Sequence, residues 1–378
     1  MPRRAVHDVH LNLNVRGMGN SATLAINELC DELHHQGRTV YKLGLGQSPF
    51  PVPSVVVEAL RLNAHQKDYL PVRGLRELRE AVATYHCRTA SLGCDGSDVL
   101  IGPGSKELMF LLLLVYYGDL VIPTPSWVSY APQAHILGRR VRWLQTDPED
   151  DWRLTPDELE SLGEEDASRP RIVILNYPAN PTGSSYSTDK LRALAKVARK
   201  YKMVLLSDEI YGELHHRGQH VSVARYYPEG TIVSSGLSKW CGAGGWRLGT
   251  FTFPRSLRWL LDAMAAVASE TYTSTSAPIQ YAAVRAFQGG LEIERYLHHS
   301  RRILRVLGRV LRTRLIDAGV SVPEPRGAFY LFPDFSPRSE MLARRSVTDS
   351  SALCQRLLED TGVALLPGSA FGRPREEL

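Results

Sequence analysis

Three polar side chains of different chemistry recur at nearly equal intervals in the middle of the chain. Asn180, Asp208 and Lys239 follow short apolar runs and are separated by 28 and 31 residues. A strand–helix–strand unit takes about 30 residues, so this spacing places all three at equivalent strand ends. Ligands of open α/β sheets bind outside the carboxyl ends of strands. The sequence therefore predicts a site where an amide, a carboxylate and an amine converge.

Each of these residues has an ordinary structural interpretation when it is taken alone. Most lysines are solvated at the surface, an aspartate after a strand often caps a helix, and Asn180-Pro181 is typical of a turn. Spacing by itself leaves these interpretations open.

A glycine loop earlier in the chain predicts an anion site. Ile101 is followed by Gly102-Pro103-Gly104-Ser105-Lys106, and an apolar helix is predicted at 107–117. Free backbone N–H groups and the positive end of the helix dipole face a ligand in such a loop. Arg247, eight residues after Lys239, can supply the fixed charge that a phosphate dianion needs.

The elements that must position these residues form a regular pattern. Short apolar runs without hydrophobic–polar alternation predict strands that are covered on both faces. Helical stretches such as 190–201 separate them. The sequence therefore predicts an α/β fold, with a three-layer α/β/α large domain around a mostly parallel sheet. The runs lie at 99–101, 120–122, 141–144, 172–175, 204–206 and 231–234.

The two ends of the chain predict a smaller α+β domain. Helices are expected at 21–35, 54–63 and 75–88, and a strand at 327–332. We predict an N-terminal arm with part of the small domain at 1–50, a large ligand-binding domain at 51–288, and a small C-terminal domain, cut short, at 289–378. A long amphipathic helix at 291–318 should bury one side, formed by Leu297, Ile303, Leu307, Val310 and Leu315.

Seven segments in order along the chain resemble the sequence blocks of class I and II aminotransferases. GLSKWCGAGGWRLG (236–249) is similar to their pyridoxal-phosphate attachment signature, including the lysine-to-arginine spacing. The resemblance extends from about Ser21 to Gly372. It implies an aspartate aminotransferase-like enzyme of fold type I, a homodimer with its active site at the interface, pyridoxal 5'-phosphate as cofactor, and amino acid and 2-oxo acid substrates. The other segments are YLPVRGLRELREA (69–81), PTPSWVSY (123–130), YPANPTG (177–183), SDEIY (207–211), GAFYLFPD (327–334) and PGSAFG (367–372).

The resemblance implies a role for each residue of the predicted site. Lys239 would hold the cofactor covalently and then move the α-proton of the substrate. Asp208 would pair with the pyridine nitrogen, which keeps the ring a good electron sink. Asn180 and Tyr211 would hydrogen-bond the cofactor's phenolic oxygen. Trp127 would stack on the ring, although a core tryptophan is the ordinary alternative.

The phosphate and the substrate have implied ligands as well. Tyr69 would reach the phosphate from the partner subunit, and the Gly46 backbone would contact the substrate carboxylate. Trp127 and Asn180 would contact the substrate as well. The family often has a serine three residues before the lysine, where this chain has Gly236, so Ser238 or Ser235 must supply that hydroxyl. The phosphate ligands implied within the chain are Gly104, Ser105, Lys106, Ser238 and Arg247.

Substrate preference is indicated by one lysine. Lys106 lies where some relatives bind an acidic side chain, which favours a donor such as aspartate or glutamate. The ordinary alternative is a phosphate-loop lysine with no substrate role.

One departure from the family concerns the substrate α-carboxylate. Family members bind it with an arginine on a strand soon after the PGSAFG block, as a bidentate pair. Here Arg373 and Arg375 follow Gly372 with no apolar strand to position them, and we transfer the role to neither. We therefore expect a protein, either truncated or without this clamp, that binds cofactor but turns over amino acids poorly. A natural C-terminal strand appended without a gain in activity would contradict this expectation.

Three other functions stay open on sequence grounds. Another fold type I enzyme, such as a β-lyase, shares the cofactor cradle and is separated by testing for 2-oxo-acid-dependent amino transfer. The second alternative is a cofactor-binding protein with little catalysis. The missing arginine for the substrate α-carboxylate favours this alternative, and the presence of Lys239 argues against it. A nucleotide-binding dehydrogenase would rest on Gly102-Pro103-Gly104, but Glu107 stands where its third glycine belongs.

Composition excludes several partners. The 45 Lys+Arg and 40 Asp+Glu are interspersed and leave a net charge of +5, which does not indicate nucleic-acid binding. The most apolar run, 109–117, is too short to span a membrane. Five scattered cysteines form no metal-binding pattern. We predict no metal, reduced thiols and a cytoplasmic protein.

Overall fold

The computed structural model describes residues 10–19, 21–90, 92–374 and 377–378. The strands are β1 (Tyr41–Lys42), β2 (Val99–Gly102), β3 (Asp119–Thr124), β4 (Val141–Gln145), β5 (Arg171–Asn176), β6 (Val204–Asp208), β7 (Thr231–Gly236), β8 (Gly249–Thr252) and β9 (Val363–Ala364). The helices are α1 (Ala22–His35), α2 (Ser54–Asn63), α3 (Arg76–Ala90), α4 (Ser105–Val115), α5 (Tyr130–Ile136), α6 (Pro156–Glu165), α7 (Thr188–Lys200), α8 (Arg258–Glu270), α9 (Ala277–Gln288), α10 (Leu291–Asp317), α11 (Ser339–Ala343) and α12 (Ser350–Thr361).

Seven strands form the central sheet in the order β2-β8-β7-β6-β5-β3-β4. Strands β3 to β7 pair in parallel, and β8 runs antiparallel to both of its neighbours. The predicted α/β class with a mostly parallel sheet is thus confirmed. All six predicted apolar runs are strands, each extended by one to three residues.

Except at the edge strand β4, the sheet is buried on both faces, which explains why its strands show no hydrophobic–polar alternation. Along β5, Ile172 and Ile174 pack with helices α4, α5 and α8. Their neighbours Val173 and Leu175 point the other way and pack with α6 and α7. The result is the three-layer arrangement, because each strand must supply apolar side chains to two helix layers.

Strand β8 was not predicted from the sequence. Its four residues, GTFT, are short and only half apolar, and they follow directly on a glycine-rich segment. The strand exists because it fits between β2 and β7, with Gly249 opposite Gly102 on one side and Gly236 on the other. This pairing brings the glycine loop of 102–106 next to the segment that carries Lys239.

The N-terminal arm is joined to the C-terminal part of the chain. Strand β1 pairs in parallel with β9, and Cys30 of α1 packs with Leu358 and Ala364. Residues 1–9 lie outside the described part of the arm. The domain boundaries at 51 and 289 remain a prediction.

The buried side of α10 differs from the predicted one. Leu297 is buried as expected, but its partners in the core are Ile293 and Leu304. Ile303 and Leu307 are 47% and 51% exposed, and Val310 is 45% exposed. The helix carries two adjacent apolar stripes, and tertiary packing covers only the one that contains Ile293, Leu297 and Leu304. Sequence periodicity cannot tell which of the two stripes is buried.

The strand predicted at 327–332 is also wrong. In the structure this segment is irregular, and its pairing is reduced to one isolated bridge, between His215 and Gly327. Ala328 adopts a φ of 58°, a left-handed conformation that interrupts an extended strand. The bend turns Tyr330 toward the ends of the parallel strands.

No helix in the described ranges is both long enough and apolar enough to span a membrane.

Candidate active site

The strand ends that should carry the site are aligned in register. Asn176 at the end of β5 pairs with Asp208 at the end of β6, and Asp208 pairs with Ser234 of β7. Asn180 and Lys239 follow four and five residues after these partners. The equal spacing in the sequence therefore does place the amide, the carboxylate and the amine at one edge of the sheet.

Lys239 lies in a cavity of about 870 Å³ at this edge. Its Nζ donates to the Gly46 carbonyl at 2.6 Å and lies 5.7 Å from the centroid of the Tyr211 ring. Burial is the main cause that lowers the pKa of Lys239 to about 8; Asp208 acts in the opposite direction, and Arg247 and Lys106 make smaller contributions that lower it. The lowered pKa leaves more neutral amine near physiological pH than an ordinary lysine has, and a nucleophilic or proton-transferring lysine reacts through this neutral form.

Asp208 is a buried carboxylate held by two hydroxyl groups. Tyr130 Oη donates to one carboxylate oxygen at 2.6 Å, and Ser234 Oγ donates to the other at 3.1 Å. Burial raises the pKa of Asp208 to about 6, against these hydrogen bonds, which lower it. The carboxylate also accepts from the backbone N–H of Ile210. The next helical turn has Tyr211 as its N-cap, so the alternative role of a helix cap does not describe Asp208.

Tyr211 and Tyr330 close the cavity on the side of the C-terminal region. Their hydroxyl oxygens lie 2.6 Å apart, and their rings meet edge to face. Burial raises the pKa of Tyr211 well above its ordinary value, and Tyr330 adds to this. Asn180 is held next to them because its N–H donates to Asn176 Oδ1 at 2.8 Å.

The glycine loop forms an anion cradle. Gly104 has a φ of 97° and is the N-cap of α4, so the first N–H groups of this helix are open to a ligand. A Cβ at Gly104 would collide with the guanidinium of Arg247, and a Cβ at Gly249 would collide with the backbone of Gly104 and Ser105. Arg247 itself has a left-handed backbone, φ 54°, a strained conformation often found at functional sites.

The cavity brings together ten of the twelve predicted site residues. Gly104 lies beneath the cavity as part of the cradle. Tyr69 is 88% exposed and does not line the cavity of its own chain. The ten lining residues are Gly46, Ser105, Lys106, Trp127, Asn180, Asp208, Tyr211, Ser238, Lys239 and Arg247.

Trp127 and Lys106 lie against each other in this cavity. The Lys106 Nζ is 5.0 Å from the Trp127 ring centroid, and Trp127 meets Tyr130 edge to face. Burial lowers the pKa of Lys106, with Arg247 as a second cause. Trp127 is only half-buried, so one part of its ring faces the cavity.

Arg373 is positioned in the cavity, contrary to the expectation that nothing would place it. Its side chain is only 9% exposed, and the guanidinium lies 4.6 Å from the Trp152 ring centroid. It donates to Gln145 Oε1 at 2.9 Å, to the Thr146 carbonyl at 3.0 Å, and to both oxygens of Glu377 at 2.8 Å. Stacking and hydrogen bonds from distant parts of the chain replace the strand that sequence reasoning required. Arg375 lies outside the described residues.

Sequence reasoning missed three residues of the site. Tyr130 supports Asp208, Tyr330 supports Tyr211, and Asn176 donates from Nδ2 to the Asp208 carbonyl at 2.9 Å. All three lie within or directly beside the segments that resemble the family blocks. Asn176 could have been found from its position at a predicted strand end. The local sequence around Tyr130 and Tyr330 does not indicate which residues they contact.

The donor set fits pyridoxal 5'-phosphate. A phosphate matches the helix N-terminus, Ser238 and Arg247, while a pyridine nitrogen matches the buried carboxylate of Asp208. An aldehyde matches the amine of Lys239, whose pKa is lowered. Glycine at 104 and 249 lets the Arg247 guanidinium and the loop backbone pack closely around the cradle, which a Cβ would prevent. Fold and site together define an α/β enzyme whose cavity gathers an amine, a buried carboxylate and an anion cradle.

Comparison with known proteins identifies the family. Residues 38–377 match the model of the aminotransferase class I and II family. The chain is 33% identical to the aspartate aminotransferase of Geobacillus stearothermophilus over 95% of this chain and 91% of that protein. It is 31% identical to the asparagine–oxo-acid transaminase of Streptococcus mutans over 96% and 92%. The solved aspartate aminotransferase from Thermus thermophilus with maleate superimposes with a TM-score of 0.88 at 31% identity, over 97% of this chain and 93% of that one.

The chain belongs to the class I and II aminotransferases, a family that is generally dependent on pyridoxal phosphate. The dehydrogenase alternative is thereby set aside. The structure agrees, because β2 stands at the edge of the sheet beside an antiparallel strand rather than at the centre of a parallel nucleotide-binding unit.

The lowered pKa of Lys239 predicts how cofactor attachment depends on pH. Only the neutral amine attacks an aldehyde, so the rate should rise with pH and level off above about 8. The measurement mixes cofactor-free protein with pyridoxal phosphate between about pH 6 and 10 and follows the absorbance of the covalent product. A rate that still rises tenfold per pH unit beyond about pH 9.5 would show an ordinary lysine pKa and contradict this account.

Proposed function

We propose that this chain is a pyridoxal 5'-phosphate-dependent aminotransferase that moves an amino group between an acidic amino acid, such as aspartate, and a 2-oxo acid. The observation that carries this proposal is the combination in one cavity of Lys239, Asp208 and the anion cradle. Lys239 has a pKa of about 8 and Asp208 is buried under two hydroxyl donors. No ordinary structural role accounts for a half-buried lysine opposite a buried carboxylate.

Each residue has a definite task in this reaction. When bound, the cofactor supplies an electron sink for the electron pair left as the substrate loses its α-proton. Asp208, fixed by Tyr130 and Ser234, holds a proton on the pyridine nitrogen. Lys239 would take the α-proton of the substrate and return it at the cofactor's aldehyde carbon, two atoms away. Tyr211, oriented by Tyr330, hydrogen-bonds the phenolic oxygen.

The phosphate cradle holds this arrangement in place. The N-terminus of α4, the Ser238 hydroxyl and Arg247 bind a dianion from different directions. Trp127 covers one face of the ring. Binding at the phosphate fixes the reactive end of the cofactor beside Lys239, which is the positioning that the proton transfer needs.

An acidic donor is supported by two cations on the cavity wall. Lys106 and Arg373 both line the cavity, and Arg373 already holds a carboxylate in a bidentate pair with Glu377. A four-carbon amino acid with two carboxylates offers one partner to each cation. The similar protein named for aspartate supports the same donor class.

A panel of amino acids tests the proposal. Purified protein with bound cofactor is given each amino acid in turn, and absorbance is followed between about 320 and 450 nm. Conversion to the amine form of the cofactor, by aspartate or glutamate and reversed by a 2-oxo acid, is expected. Release of ammonia or of a β-substituent without a need for 2-oxo acid would instead show a lyase.

Arg373 and Glu377 give a prediction for substrate binding. Replacing Arg373 by glutamine should raise KM for the amino acid by about tenfold or more and change kcat less, because a charge-assisted pair is lost. Replacing Glu377 by glutamine should lower KM several-fold, because the side chain no longer competes as an anion for the same guanidinium. Steady-state kinetics with aspartate and 2-oxoglutarate measures both.

The matched control is the exposed ion pair Arg356–Asp360 on α12. Its two residues are four positions apart, as are Arg373 and Glu377. Arg356→Gln should leave KM unchanged. If Arg373→Gln and Arg356→Gln behave alike, Arg373 does not bind substrate.

A homodimer and a cytoplasmic location complete the proposal. Tyr69 is exposed on its own chain, as expected of a residue that completes the phosphate site of a partner. All five cysteines are unpaired, and Cys30 and Cys241 are buried, which fits a reducing compartment.

A further inference from the structure

A second cavity, of about 770 Å³, is lined by cationic side chains. It shares no lining residue with the active-site cavity. Glu324 is the one acidic residue on its wall in the described part of the chain. The cationic and imidazole residues on the wall are Arg153, Arg217, Arg305, Arg309, Arg312, Arg326, His215 and His216.

Helix α10 supplies one wall of this cavity. Arg305, Arg309 and Arg312 are separated by four and three residues, so their side chains lie on one face of the helix. Like charges at this spacing destabilise a helix. The three arginines therefore destabilise α10, so a contribution to helix stability does not explain why they are there.

Much of this charge is not neutralised within the protein. Arg153 pairs with Asp151 at 3.0 Å, and Arg326 lies 3.7 Å from Glu324. The guanidinium groups of Arg217, Arg305 and Arg309 make no ion pair or hydrogen bond with any residue that the structure describes. At least three guanidinium groups thus face the cavity without an internal partner.

Other groups add to the positive potential. The N-terminus of the 13-residue helix α7 reaches the cavity through Ser187 and Thr188, and its dipole favours an anion. The pKa of His215 is lowered to about 4, chiefly by burial and then by His220, His216, Arg301 and Arg326. His215 is thus kept neutral in part by its cationic neighbours. A bound anion would reduce the positive potential that these neighbours create.

We propose that this cavity binds a small anion that carries two or more phosphate groups. Three unpaired guanidinium groups and a helix N-terminus exceed what one phosphate dianion would neutralise. The volume lies in the range of small-molecule sites, about 300–1,000 Å³. A concave site, rather than an extended basic stripe, fits a compact ligand better than a nucleic-acid strand.

The site spans two parts of the chain that also build the active site. The Arg326 N–H donates to the Gly183 carbonyl at 2.7 Å, and the His216 N–H donates to the Arg326 carbonyl at 2.8 Å. Gly183 closes the segment that carries Asn180, and His216 follows Tyr211 by five residues. A ligand in the cavity would contact α10 and the residues that follow both of these segments, such as Ser185 and His216.

Calorimetric titration with inorganic tripolyphosphate tests the proposal. The protein is first saturated with pyridoxal phosphate, so that the active-site cradle is filled, and ionic strength is held constant. Inorganic phosphate and sulfate serve as single-anion probes. We expect one tripolyphosphate site per chain, with weaker binding of both single anions.

Two double variants of the same helix locate the site. Arg305→Gln with Arg309→Gln removes two cavity cations, and Arg302→Gln with Arg314→Gln removes the same charge from exposed positions that do not line the cavity. The first should weaken tripolyphosphate binding by about tenfold or more, and the second should leave it within about twofold of wild type. Arg217→Gln, on a separate loop, replaces the first variant if that one does not fold.

Three results would overturn the proposal. Absence of saturable binding would show no site, and equal weakening in both double variants would show only general attraction to a basic surface. Tighter binding of a single-stranded oligonucleotide than of tripolyphosphate, at several sites per chain, would show a nucleic-acid surface instead.

Discussion

Lys239→Ala is expected to abolish amino transfer, with a loss of at least about 10⁴-fold in kcat, because one side chain provides both the covalent attachment and the proton transfer. The absorbance of the covalently held cofactor should vanish as well, while the phosphate cradle, which Lys239 does not build, should still bind the cofactor reversibly. Steady-state kinetics and absorbance between about 320 and 450 nm measure the two effects.

A matched control separates chemistry from a general loss of lysine. Lys196→Ala removes an exposed lysine of α7 and should leave kcat and absorbance unchanged. A small primary amine added to Lys239→Ala should restore part of the activity if the missing function is an amine base. Full activity in Lys239→Ala would refute the assignment, whatever the state of the cofactor.

Asp208→Asn is expected to lower kcat by about 10²- to 10⁴-fold, because asparagine cannot keep a proton on the pyridine nitrogen. In the cofactor-free protein the same change should increase stability. The pKa of Asp208 is about 6 in the folded protein against 3.8 as its ordinary value, so the unfolded chain holds fewer protons between these values. Stability therefore falls as pH rises from about 3.8 to 6.

The size of this stabilisation follows from the same two values. A buried ionised carboxylate with this pKa difference costs about 3 kcal/mol above pH 6, and loss of hydrogen bonds from Tyr130 and Ser234 reduces what Asn recovers. Denaturant unfolding at about pH 8 should therefore show a gain of up to about 3 kcal/mol, which disappears near pH 4.

Glu209 is the matched control for Asp208, because it is the next residue and also a buried carboxylate. Its pKa is lowered despite burial, through His220, Ser222 and Ser207, with His220 Nε2 at 2.7 Å. A lowered folded pKa adds stability above the unfolded value, so Glu209→Gln should destabilise the protein at pH 8. If both replacements shift stability in the same direction, the environment of Asp208 is not the one described here.

Much of the fold was predictable because its signals are local. An apolar run without alternation marks a strand covered on both faces, and the six runs predicted in this way are all strands of the central sheet. The near-equal intervals between Asn180, Asp208 and Lys239 follow from the length of one strand–helix–strand unit. Such signals identified the edge of the sheet that carries the site and the glycine loop beside it.

The predictions that were wrong concerned segments whose structure depends on contacts with other segments. GTFT becomes strand β8 only because two neighbouring strands accept it. The bend at Ala328 turns a strand-like sequence into a loop that presents Tyr330. Helix α10 carries two apolar stripes, of which packing buries one. Periodicity describes the apolar pattern of each segment but carries no information about which neighbouring segment covers it.

The sequence by itself determined the fold class, the strand ends that carry the chemistry and most of the residues gathered there. Only the tertiary structure decided their partners. Tyr130 supports Asp208 from 78 residues away, and Tyr330 meets Tyr211 across 119 residues. Arg373 reaches the cavity by stacking on Trp152 rather than by lying on a strand. The physical reason is that spacing along the chain fixes local geometry, whereas a contact between distant residues exists only once the whole core has packed.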